Sequence, residues 1–438
     1  MASEAKSGGR PTAFTNARLV DPESGYDGPG ALVVAKGVIV DVAQGRDLGK
    51  LSADLQVIDC NGAMLAPGLI DLRVKTGEPG SEPKETLKSA SRAAAAGGVT
   101  SIVVQPDTNP VVDDPSVVDF ILRRARDIEG VHVYPAGALT KGLKGEHLAE
   151  LGLMRDAGCV YVTDVDHPVV DSQVLRRAMS YANAFGLVVA HRPADPWLTK
   201  GAAATEGELA GRLGLPAGPA IAERIMLDRD LALAELTGAR LLVDQITTAE
   251  SLKSLGRAKA AGVAATATAS INHLSFNEID IGDYRTFARL DPPLRCEDDR
   301  QALIDALADG LIEIVVSAHA PAPAEDKRLP FEEATPGAVG LETLLAALLA
   351  FHHDERIPLL TLMRAVTLAP ARLLGLRAGR LSAGAPADLV LCDLNAPVII
   401  DADKLLSKSK NSPFDGRRLQ GQVLMTLVDG RIVHRLQE

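Results

Sequence analysis

Apolar positions along this chain change period twice. From about Thr12 to Ala63 short alternating or apolar runs, Ala13–Val20, Ala31–Val34, Val38–Val42 and Leu55–Asp59, are separated by Gly, Pro and Asp turns and predict β-strands. The same texture returns after Gly379 in Ala387–Asp393, Pro397–Ile400, Gln422–Val428 and Arg431–Arg435. Two β-rich ends around a different middle predict one small β domain built from both.

The middle alternates strand-sized apolar runs with helical periodicity. Strands are expected at Leu65–Val74, Val99–Gln105, Val131–Ala136, Val160–Val162, Leu187–Ala190, Leu241–Asp244, Val263–Ala269 and Ile312–Ser317. Between them Lys84–Ala96, Pro115–Ile128, Ser172–Phe185, Ile221–Thr237, Ala249–Ala261 and Arg300–Ala308 space apolar residues as helices do, and helix-rich Gly340–Leu374 follows. Ser81 is expected to cap the first helix, beginning near Glu82. Eight strands in βα alternation predict an α/β fold, a (β/α)8 TIM barrel, with the small β-sandwich domain beside it. The expected division is 1–11 tail, 12–63 and 377–438 small β domain, 64–376 barrel.

Composition narrows the class. With 46% hydrophobic and 24% charged residues the chain is globular rather than disordered. A net charge of −11, with no basic run longer than Arg123-Arg124-Ala125-Arg126, argues against a phosphate-tracking nucleic-acid surface. Cys60, Cys159, Cys296 and Cys392 are dispersed, as in a reduced cytoplasmic protein. No window approaches the ~20 apolar residues that span a bilayer, so no membrane partner is expected. No complete dinucleotide or phosphate-loop fingerprint occurs.

In a barrel of this kind chemistry gathers where strands end. The run Ala66-Pro67-Gly68-Leu69-Ile70-Asp71-Leu72-Arg73-Val74-Lys75-Thr76-Gly77-Glu78-Pro79-Gly80 resembles the opening motif of the dihydroorotase and hydantoinase branch of the amidohydrolases, PG-x-[IV]-D-x-H-x-H-x-R-E-P-G. Arg73 and Lys75 stand at the metal-binding histidines, and Gly77 at the substrate-binding arginine. Protonated Arg and Lys have no lone pair for a cation. Gln105–Pro110 resembles M-P-N-T-x-P, with Asp107 at the substrate-contacting Asn. Val162–Asp166 resembles F-S-D-D-G, keeping Asp164 but placing Val165 at the second acid and Asp166 at the glycine, which leaves open which carboxylate faces inward. His191 ends strand five at the third ligand position, and Gln245 replaces the fourth ligand in a motif resembling A-H-[VI]-S-T. Ser270–Leu274, with His273, resembles T-P-H-H-L; Asp291–Arg295 resembles N-P-P-L-R. Ser317–Ala322 resembles T-D-H-A-P-H, keeping His319 but placing Ala318 where the resemblance implies the proton-shuttling Asp. Ala378–Asp388 and Ser407–Gly416 resemble the family's closing elements.

Amide hydrolysis needs an activated water and a proton carrier, and Ala318 supplies neither. The resemblance therefore implies a noncatalytic dihydroorotase-like protein of pyrimidine biosynthesis without catalytic residues or cofactor, an assembly partner of the aspartate transcarbamoylase catalytic subunit, and a homo-oligomer. An alternative is an active cyclic-amide hydrolase of the dihydroorotase, hydantoinase or allantoinase type, holding one zinc on Asp164 and His191 with His273 or His319. A third is an adaptor similar to metal-free superfamily members of animal neurons. Arg73 and Lys75 are expected either to supply positive charge near Asp164 or to reach solvent at the barrel mouth.

Overall fold

The computed structural model describes residues 10–45, 48 and 54–437; residues 1–9 of the expected tail lie outside them. Eight parallel strands make the barrel: Leu69–Val74, Val99–Val104, His132–Pro135 continued by Gly137–Ala138, Val162–Thr163, Val188–His191, Arg240–Val243, Ala265–Ser270 and Ile314–Val316. The third strand serves two neighbours in succession, Val104 opposite Pro135 and then Gly137 opposite Val162. Closure is short: Val74 bridges His319, and the Lys75 amide donates to the His319 carbonyl at 2.9 Å. Most strand positions are apolar and buried on both faces, which holds the ring, with Asp71, Thr100, Ser101 and Thr268 among the buried polar exceptions.

The expected strand Leu65–Val74 is cut in two. Met64–Pro67 pairs with Arg18–Leu19 on one side and Leu389–Cys392 on the other, so it belongs to the small sheet, while Leu69–Val74 pairs with Val99–Val104 in the barrel. Gly68 is the crossing point. A Cβ there would sit 2.1 Å from the Thr100 side chain, so the chain changes sheets at the one residue that clears it. The apolar run is continuous because both sheets bury it, and periodicity cannot mark such a junction.

The small sheet joins Thr12–Asp21, Tyr26–Ala35, Val38–Gln44, Gln56–Asp59 and Met64–Pro67 with Leu389–Ile399, Arg418–Val428 and Arg431–Arg435. Its two ends meet, because the Ala387 amide donates to Gly37 O and the Gly430 amide to Ala387 O. Phe14, Leu19, Leu32, Ile39, Leu389 and Leu427 fill the space this encloses. The expected runs Ala387–Asp393 and Pro397–Ile400 form one strand, whose register shifts between Asp393 and Pro397.

The first barrel helix runs Leu87–Ala96 and is capped by Thr86, whose side chain accepts from the Ser89 amide, instead of by Ser81. The intervening acids are otherwise engaged. Glu78 accepts from the Leu87 amide at 2.8 Å and from Arg124 at 2.9 Å, and Glu85 takes the Ser407 hydroxyl and the Lys408 amide. These bonds tie the first loop to the Ser407–Gly416 element. Within that element Asn411 donates to Ala320 O and Gly337 O at 3.0 Å each, fixing the loop after strand eight.

A filled barrel mouth as candidate functional site

Seven charged side chains meet at the carboxyl ends of the strands. Arg73, at the end of the first strand, is buried and donates from Nε to Asp244 Oδ2 and from Nη2 to Asp166 Oδ1, both at 2.7 Å. Lys75, two residues on and therefore on the same side, reaches Asp166 Oδ2 at 2.5 Å and Asp107 Oδ2 at 2.7 Å. Arg192 donates to Asp166 Oδ1 at 2.9 Å and grips Asp291 with both terminal nitrogens. Three cations thus face four carboxylates, and Asp166 is the hub that accepts from all three.

This corrects the expectation for Arg73 and Lys75, which neutralise Asp166 rather than Asp164 and do not simply reach solvent. Asp164 turns away because its own turn satisfies it: the Leu139 and Thr140 amides donate at 2.9 Å each, and the Thr140 hydroxyl adds a third bond. Val165, between the two acids, has φ +54°, which lets Asp166 swing into the mouth. Burial works against the charge on Asp166, but Lys75, Arg73 and Arg192 outweigh it and hold its carboxyl well below the usual range.

His191 is also fully engaged. Its Nε2 accepts from the Val169 amide at 2.9 Å, so the proton sits on Nδ1, which donates to buried Asp230 at 2.7 Å. Gln245 turns its amide oxygen to Arg73, 2.9 Å from Nε and 3.2 Å from Nη2. His273 donates from Nε2 to Pro292 O at 3.0 Å; burial, helped by Arg295, pulls its pKa down to about 4. His319 accepts the Gly340 amide at 3.2 Å on Nδ1 and lies 3.6 Å from Glu85 on Nε2. Ala318 presents only a methyl at φ +52°.

The zinc of the active alternative does not fit these residues. Of the pair expected under the active alternative, His191 has both ring nitrogens engaged and Asp164 is held in its own turn by three hydrogen bonds, while Arg73 and Lys75 offer no lone pair. The cavity they leave, lined by Arg73, Lys75, Asp166, Gln245, Asp291 and Ala318 among others, has a volume of about 40 Å3. That is room for about one water, against roughly 300–1,000 Å3 in small-molecule sites. Among the described residues the one His/carboxylate group spaced to hold a cation is His132, Asp388 and Asp429, at the opposite end of the barrel, where strand three begins beside the small sheet. His132 Nε2 lies 3.2 Å from Asp388 and 3.8 Å from Asp429, distances of an ordinary ion pair.

Gly77 shows the same loss in the backbone. It has φ +75°, and a Cβ would stand 2.5 Å from Ser81 O. Gly77→Ala is expected to lower stability by about 2 kcal/mol through left-handed strain and this clash. Chemical denaturation checks it; an unchanged midpoint would show that the loop yields freely.

Comparison with known proteins sets this mouth in context. A family model described as dihydro-orotase-like matches residues 62–251, and one described as amidohydrolase family matches residues 238–433. A protein named dihydroorotase from Anaeromyxobacter dehalogenans is 39% identical over 419 residues, 95% of this chain and 96% of that one. This chain belongs to the dihydroorotase-like amidohydrolase family. A dihydroorotase from Geotalea daltonii is 38% identical over 95% of this chain and 98% of its own length. The dihydroorotase-like fold also matches the solved L-hydantoinase (dihydropyrimidinase) of Arthrobacter aurescens with TM-score 0.87 at 24% identity, covering 98% of each chain.

Asp166 is the inward carboxylate of the two that the Val162–Asp166 motif left open, while Arg192, Asp244 and Asp291 carry no signal of their own as site residues in the sequence. Each stands beside a motif position that was singled out, at or just beyond a strand end. The available signal was charge balance: two cations placed in a barrel mouth require carboxylates within reach.

Proposed function

We propose that this dihydroorotase-like chain has given up cyclic-amide hydrolysis and serves pyrimidine biosynthesis as a structural partner, with the catalytic subunit of aspartate transcarbamoylase as its counterpart. The observation that carries the first half is the Asp166 hub, which puts three cations where the family resemblance implies metal and substrate. Supporting the second half is retention of the frame around it: the Asn411 and Glu85 ties preserve loops that no longer surround an open pocket. Outward-facing Trp197, Ile221 and Ile225 offer apolar surface for a partner or a second copy.

The relatives' names favour a second reading, an active metal-dependent cyclic-amide hydrolase. For that chemistry the ionic cluster would have to open and expose Asp164 and His191, each already satisfied. Purified protein is expected to carry only substoichiometric zinc and to leave dihydroorotate unhydrolysed with or without added zinc. Co-expressed transcarbamoylase is expected to co-elute with it. Stoichiometric zinc with turnover lost in His191→Ala would establish the hydrolase instead, and independent elution of the two proteins would remove the partnership.

A further inference from the structure

The large cleft of this barrel is at the wrong end for its family's chemistry. Where the strands begin, a cleft of about 450 Å3 opens between the starts of strands six to eight and the helices Leu359–Val366 and Leu368–Leu374. This end of a TIM barrel ordinarily reads as stability rather than function. Its floor is apolar, supplied by Leu307, Ile312, Ile314, Leu368 and Ala369. Arg240, Arg364 and Arg372 all contribute to its lining. The volume falls within the roughly 300–1,000 Å3 of small-molecule sites, more than ten times that of the mouth.

The arginines are poorly neutralised. Arg240 donates to the Leu373 carbonyl at 2.7 Å and Arg364 to the Pro22 carbonyl at 3.1 Å, and neither has a carboxylate within ion-pair distance among the described residues. Arg372 comes no closer than 4.0 Å to Glu23. The one acid in the lining, Glu313, is held by Lys259 and by the Ala267 amide at 3.1 Å. In a chain of net charge −11, three such cations around one apolar floor are a local reversal of sign. Carbonyl partners leave guanidinium N–H groups over, in the fork geometry that suits a carboxylate, sulfonate or phosphate.

We infer that this cleft binds a small organic anion, an apolar body resting on Leu307, Ile312 and Leu368 with its anionic group between Arg364, Arg372 and Arg240. The inference is independent of whether the mouth is catalytic, since the two sites lie at opposite ends of the strands.

The test uses the whole chain and 8-anilinonaphthalene-1-sulfonate, which joins an aromatic body to one anionic group, with uncharged N-phenyl-1-naphthylamine as the control. Saturable one-to-one fluorescence titration is expected for the sulfonate and binding at least about tenfold weaker for the control, as loss of a charged hydrogen bond implies. Arg364→Ala and Arg372→Ala, both on exposed side chains, are expected to weaken the sulfonate by about tenfold each with circular dichroism unchanged. Ala369→Phe, which fills the cleft from its floor, is expected to abolish saturable binding. Equal binding of both dyes would remove the anion site, and binding indifferent to all three substitutions would place the dye elsewhere and overturn the inference.

Discussion

Arg73→Leu is expected to destabilise the protein by about 3–5 kcal/mol, the usual consequence of leaving buried charge unpaired. Its guanidinium is the sole ion-pair partner of Asp244 among the described residues and one of three for Asp166. Neither acid can relax to bulk solvent without dismantling the mouth, because Asp244 is buried and Asp166 is held by Lys75 and Arg192 as well. Adding Asp244→Asn to Arg73→Leu is expected to recover part of the loss, since the stranded charge is then gone. Equilibrium denaturation of the wild type, both single variants and the double variant measures this. An Arg73→Leu variant within ~0.5 kcal/mol of wild type would mean that the cluster is a loose surface network.

The same network fixes a sign for acid. The folded pKa of Asp166 is depressed, so its contribution is complete above the unfolded value of about 3.9 and is lost as pH falls through the folded one. Removing Arg73 should therefore also raise the pH at which acid unfolding begins.

Lys327→Met is the second large effect, and it runs the other way. Lys327 is buried, its ammonium bonded among the described residues only to the carbonyls of Thr286 at 3.2 Å and Arg289 at 3.4 Å. Burial, aided by the nearby Arg289 charge, pushes its pKa down to about 7. For a base depressed in the folded state, the unfolded chain holds more protons between pH 7 and about 10.4, so wild-type stability rises with pH across that window. Methionine has no proton to lose. Lys327→Met is thus expected to exceed wild type by about 2–4 kcal/mol at pH 6 and by under ~1 kcal/mol at pH 10. Denaturant midpoints at the two pH values decide it, and a gap that does not change with pH would show that Lys327 keeps its charge throughout.

Arg73 and Lys75 neutralise the inward carboxylate of Asp166 directly. They also fill the space: long side chains and their partners leave about 40 Å3.

The sequence by itself determined the periodic architecture: most of the runs that are strands or helices, and that both chain ends build one sheet, while Arg73, Lys75, Gln245 and Ala318 stand where the family resemblance implies ligands and a proton carrier. Those are local facts, written in alternation, turn residues and side-chain chemistry. Only the tertiary structure decided which carboxylate meets the cations, because Asp164 and Asp166 are two residues apart and a single positive-φ residue, Val165, sends one to Thr140 and the other into the mouth. It alone split the Met64–Val74 run at Gly68, since close approach of Thr100 is a contact across 32 positions of chain. The cleft at the strand beginnings was equally illegible, because Arg240, Arg364 and Arg372 gather only once the last two helices fold beneath the barrel. Through-space pairing of charges carries no period, and so leaves no pattern along the chain.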